Sequence, residues 1–183
     1  MKFLLAAIGF GLLLSGRALA LDVGPPVGAH IPAFFARDAG GKARTLGSVT
    51  GPKGVVLVFF RSSQWCPFCQ VQLISLRDLT EPLASRGYRL AAISYQPPEE
   101  LAQFALRRDI RYTLLSDKGS RTIDAFHLRD PQYKLGSIAY GVPQPSIFVI
   151  DPRGVIRAKL ADEGFKVRPD NTAILAAVDA AGR

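Results

Sequence analysis

Apolar and polar positions follow two rhythms along this chain. Gly54 to Phe60, "GVVLVFF", is an unbroken run of β-branched, aliphatic and aromatic residues, the pattern of a strand covered on both faces. Tyr88 to Tyr95, "YRLAAISY", is a second buried strand. Beyond the first run, Cys69, Leu73, Leu76, Leu79 and Leu83 recur every three or four residues, one face of a helix that Pro82 should kink or end. "PPEELAQFALRRD" opens with prolines and glutamates and closes with arginines, which predicts a helix whose charges match its dipole. A short strand at Tyr112 to Leu115 leads into "SDKGSRTIDAFHL", where Ile123, Phe126 and His127 form a further apolar stripe. "PSIFVID", "PRG" and "VIRAKL" read as strand, tight turn and strand. Ile174, Leu175 and Val178 mark one face of a closing helix over 171–181.

Ahead of these elements, a strand-like Ala33 to Arg37, the turn "DAGGK" and a second short strand predict a small hairpin. Strands that alternate with helices need right-handed crossovers and build a sheet covered on both sides. The expected architecture is an α/β sandwich: a mixed central sheet, helices on both faces and an N-terminal β-hairpin.

The first twenty residues change the picture of the domain. Lys2, the apolar run from Phe3 to Leu14 and the Ala18, Leu19, Ala20 triplet have the form of a cleavable signal peptide. The run falls short of the roughly 20 residues of a spanning helix, so an uncleaved membrane tether is the lesser reading. A periplasmic or secreted location follows as an expectation, with residues 21–183 forming one domain that needs no cross-links to bury its core. Without Lys2 and Arg17 the formal charge falls from +8 to +6, spread as single residues. No Lys/Arg run with interleaved aromatics tracks a nucleic acid, so the basic balance describes a solvated surface that can also dock an acidic partner.

Candidate chemistry concentrates in "SSQWCPFCQVQL", which holds both cysteines and the sole tryptophan, Trp65. As a structural staple, a Cys66–Cys69 bridge is poor: its four-residue ring constrains the unfolded chain by about 2 kcal/mol, against about 3 for a 15-residue loop. Zinc fails on inventory, because the two histidines, His30 and His127, fall in different elements and no second pair completes a tetrahedral site. His127 reads as a half-buried helix residue rather than a base. A redox dithiol uses every neighbour. Cys66 follows a buried strand at a helix start, where unpaired N–H groups favour a thiolate, and Pro67 suits the first turn. Cys69, one turn on, is placed to resolve a bond formed on Cys66. No cofactor beyond this redox-active disulfide is expected, and no metal.

The stretches "VLVFFRSSQWCPFCQVQL", "LLSDKGSRTIDAFHL" and "GVPQPSIFVIDPRGVI" resemble the alkyl hydroperoxide reductase/thiol-specific antioxidant group of the thioredoxin-fold superfamily, which includes the peroxiredoxins. The resemblance runs from about Val27 to the C-terminus. It implies a thioredoxin-like sandwich, and it implies that Pro145 is a cis-proline opposite the dithiol.

Two branches of that group imply different reactions. Typical peroxiredoxins carry P-x-x-x-T-x-x-C around the attacking cysteine and a later arginine that polarises the peroxide. Here Phe59 stands at the proline position, Ser63 keeps a hydroxyl at the threonine position, and Pro145 falls where the arginine is expected. Losing one preorganised donor to a developing oxyanion costs about 3 to 4 kcal/mol of barrier. Arg61, otherwise a solvated residue at the strand end, is the candidate replacement cation. Thiol–disulfide exchange asks only for a thiolate, a resolving cysteine and a surface for a partner, and the inventory favours it. A thiol peroxidase acting on hydroperoxides through Cys66 is the alternative. A redox-inactive binding module, with the groove shaped by residues 129–141, is the third reading. Expected partners are a thiol or disulfide protein and, in the alternative, a hydroperoxide.

Overall fold

β3 (Gly54–Phe59) is the strand around which the rest is laid, because its six residues are all buried. The computed structural model describes residues 23–161 and 164–182, so the leader expected at 1–20 lies outside the described residues. Among the described residues no helix is long and apolar enough to cross a membrane.

β3 runs parallel to β4 (Tyr88–Ser94) and antiparallel to β6 (Ser146–Ile150). Outside them lie β5 (Thr113–Ser116), β1 (Ala36–Asp38) and β2 (Ala43–Arg44) on one side, and β7 (Ile156–Leu160) on the other. The sheet is mixed, as the sequence pattern implies. Alternation along β3 divides the core in two. Val56, Val58 and Phe60 pack with Leu73, Leu76, Phe104 and Ile174, while Val55, Leu57 and Phe59 pack with Phe126 and Phe148. Phe59, Phe126 and Phe148 form a triangle of rings with centroids 5.0–5.8 Å apart, in the tilted and edge-on geometries that ring quadrupoles favour.

The first face is covered by α2 (Pro67–Ser75), α3 (Thr80–Ser85), α4 (Pro98–Arg108) and α6 (Asn171–Ala181). The second is covered by the short α1 (Leu46–Val49) and α5 (Arg121–Ala125). β3 can start where it does only because residue 54 is glycine. Its φ is +147°, and an added Cβ would stand 2.2 Å from the Ile150 carbonyl oxygen.

Three local expectations are corrected. The break in the helix after the cysteines falls at a 3-10 turn, Leu76–Leu79, ahead of Pro82. Pro82 then sits in the first turn of α3, where its missing N–H is no loss. His127 does not extend the α5 stripe: it leaves the helix with φ +54° and is exposed. The first hairpin strand is shifted to Ala36–Asp38, and Thr45 caps α1 just after the second.

Asp117 accepts the Ile123 N–H at 2.8 Å at the head of α5. Burial pushes its carboxyl up to about 6, against the backbone N–H groups of Ile123, Thr122 and Arg121 that pull it down. An unfolded aspartate ionises near about 3.9, so between these values the folded chain binds the proton more tightly. The resulting stability is present below about 4 and is lost as pH rises through 6. Urea denaturation should show this group removing about 2 to 3 kcal/mol between pH 4 and 7, and Asp117→Asn, which keeps the acceptor, should abolish that part of the slope.

Candidate active site

Cys66 caps the N-terminus of α2, with Pro67 in the first turn, as the sequence predicts. The loop that delivers it is tightly held. The Ser62 hydroxyl accepts the N–H groups of Gln64 and Trp65 at 3.0 and 3.2 Å. The Trp65 indole donates to the Tyr95 hydroxyl at 3.1 Å, which donates to the Ile138 carbonyl at 3.0 Å. Gln96, at the end of β4, accepts from the Ser63 N–H at 2.6 Å and from the Ser63 hydroxyl at 3.1 Å, while its amide donates to Glu100.

Both cysteines are free thiols, and both are recessed. Cys66 is 2 % exposed and Cys69 is fully buried, which corrects the expectation of an open attacking sulfur. Hydrogen bonding to Cys69 and burial push the Cys66 thiol up. The bond from Cys66 brings the Cys69 thiol down to about 6, helped by the backbone of Ser62 and Arg61 and by the Arg168 cation, and opposed by burial. The two thiols share a proton, and the first ionisation belongs to the pair. The helix end polarises both sulfurs, but Cys69 gathers more donors.

Arg61 is not a solvated strand end. It is 1 % exposed, its guanidinium lying 4.1 Å from the Phe165 ring centroid, 5.1 Å from that of Trp65 and 5.2 Å from that of Tyr133. It also donates to the Tyr133 hydroxyl, and its Nε has no partner. Pro145 directly precedes β6, whose Ser146 stands opposite Phe59, so it lies at the dithiol end of the sheet. Its peptide bond is trans, which corrects the implied cis-proline.

Sequence reasoning missed Gln96, Tyr133, Phe165 and Arg168. Gln96 had a cue, since the ends of adjacent parallel strands share a crevice. The other three stand on irregular segments with no periodicity to mark them. Among the described residues no His, Cys, Asp or Glu cluster suits a metal ion.

A mixed sheet with a buried dithiol at the head of the helix that follows its central strand defines a thioredoxin-fold protein of the peroxiredoxin-like kind. Residues 27–159 match the AhpC/TSA family, and the chain belongs to that family. It is 31 % identical over 144 residues to peroxiredoxin Bcp of Escherichia coli, covering 79 % of this chain and 89 % of that one. A peroxidoxin BcpB structure from Mycobacterium tuberculosis superposes with a TM-score of 0.71 at 23 % identity, covering 87 % of this chain and 96 % of the other. Peroxiredoxin Q of Xanthomonas campestris gives 0.68 at 20 % identity, covering 90 % and 99 %. The protein is thus a thioredoxin-fold oxidoreductase.

Because the Ser63 hydroxyl is spent on Gln96, Ser63→Ala should cost about 1 kcal/mol of stability in chemical denaturation. Thiol titration of the same variant should match that of the parent.

Proposed function

We propose that this protein is a peroxiredoxin-like thiol peroxidase, in which Cys66 attacks a hydroperoxide and Cys69 resolves the product. The burial of the pair carries this reading. Thiol–disulfide exchange needs a sulfur that a partner protein's disulfide can approach in line, and Cys66 is 2 % exposed. A hydroperoxide needs only a narrow opening. The family and the peroxiredoxins among its relatives support the same choice over the exchange that the inventory of residues favours.

In the proposed cycle, Cys66 gives up its proton and attacks the terminal oxygen of the hydroperoxide. The S–O bond forms, the O–O bond breaks, and the departing oxygen takes a proton and leaves as alcohol or water. Cys69 then attacks the Cys66 sulfenic acid. The S–S bond forms, the S–O bond breaks, and hydroxide leaves as water after protonation. Two electrons from an external thiol reductant reopen the disulfide. Arg61, buried in the segment between β3 and Cys66 with its Nε unpartnered, adds positive charge to this end of the sheet, where Pro145 supplies none. Export through a leader at residues 1–20 is part of the same proposal, resting on the pattern there alone.

Protein lacking the first twenty residues should consume hydrogen peroxide or an organic hydroperoxide with a generic thiol reductant. Cys66→Ser should abolish this, while Cys69→Ala should leave a sulfenic acid on Cys66 that a dione probe traps. Reduction of insulin disulfides without peroxide consumption would overturn the proposal and restore the exchange reading.

A further inference from the structure

Resting on the peroxidase reading, one residue that neither the motif nor the family pattern marks bears directly on the dithiol. Arg168 stands between β7 and α6, two residues before the Asp170 cap of α6. Its Nη2 reaches to 3.8 Å from the Cys69 sulfur. Nη1 donates to the carbonyl of Val167 at 2.9 Å, and the buried Nε has no partner. Among the described residues no carboxylate pairs with it, Asp170 being turned to the Ala173 N–H at 2.7 Å. Among the described residues the group with anionic character that this guanidinium meets is the sulfur of Cys69.

The other charged groups around the pair do not substitute for it. The guanidinium of Arg61 is enclosed by three rings and bound to Tyr133. Lys166 and Asp170 share with Arg168 the rim of a groove of about 470 Å³ along Phe68 and Val71, and both are exposed. Glu100 is held by Gln96 on the far side of Ser63. Tyr112, buried under α2, donates to the Leu73 carbonyl, which leaves no proton for the sulfurs.

We propose that Arg168 is the positioning cation of the dithiol, its charge set beside Cys69 to stabilise the single negative charge that the reduced pair holds. As Cys66 attacks the peroxide, the departing alkoxide takes the proton that the pair had shared and leaves as alcohol. Cys69 is then a thiolate beside the Cys66 sulfenic acid, held there by the guanidinium. Its attack forms the disulfide and expels hydroxide, which takes a proton from solvent. The guanidinium touches no oxygen of the substrate: its direct contact is with the Cys69 sulfur, and its charge lowers both thiols.

The test titrates the reduced protein by its ultraviolet thiolate absorbance, with no hydroperoxide present. The parent should lose one proton from the pair with a midpoint near 6. Arg168→Met, similar in shape but neutral, should raise the midpoint by one unit or more, about a tenfold fall in the thiolate-to-thiol ratio at fixed pH. Arg168→Lys should recover most of the shift, because an ammonium still supplies the charge. A role in packing alone predicts that the methionine variant titrates like the parent, and that result would overturn the inference. Arg168→Gln carries the same expectation and replaces the methionine variant if circular dichroism finds the latter unfolded. If the parent consumes no hydroperoxide but the midpoint still moves, the role of Arg168 stands and the peroxidase reading falls. In a working peroxidase, Arg168→Met should also lengthen the life of the trapped Cys66 sulfenic acid, which a general loss of activity would not do.

Discussion

Two sulfurs one helical turn apart and shut from water hold a single negative charge between them, and the site is arranged around where that charge rests. A second ionisation would set two like charges side by side in a poorly solvated pocket. The first is favoured by the helix end, by backbone donors from residues 61 and 62, and by a guanidinium that arrives from the far end of the chain. The charge therefore belongs to the pair, with the guanidinium set on its Cys69 side.

The environment that supports this charge is mostly apolar. Cys66 and Cys69 belong to the same packed cluster as Val58, Phe60 and Leu73, so the sulfurs are core residues as much as reactive ones. Burial of this kind disfavours every ion near it, yet among the described residues no carboxylate is paired with the enclosed Arg61. Three aromatic faces replace a counter-ion, an arrangement worth about 2 kcal/mol when the cation is desolvated. Of the two guanidiniums it is Arg168 whose charge lowers both thiols.

The two sulfurs are buried, while the rings of Trp65 and Phe68 that flank the Cys66–Pro67 step are 38 % and 39 % exposed. The loop over 129–141 is tied to this end of the sheet by Tyr133 on Arg61 and by the Ile138 carbonyl on Tyr95.

Local patterns along the chain set the elements, their order and the place of the cysteine pair: unbroken apolar runs for β3 and β4, a three-to-four spacing for α2 and α4, and a C-P-x-C step at a helix start. They also placed Cys66 at the cap, where Pro67 and the preceding buried strand leave little choice. Tertiary packing set Arg168 against Cys69, turned Arg61 inward, committed Ser63 to Gln96 and kept the Pro145 bond trans. Each of these depends on groups far apart in sequence, such as Cys69 with Arg168 or Arg61 with Tyr133 and Phe165. The physical reason is one of range: backbone preference and hydrophobic period act within a few residues, whereas an electrostatic environment is the sum over whatever the fold brings near.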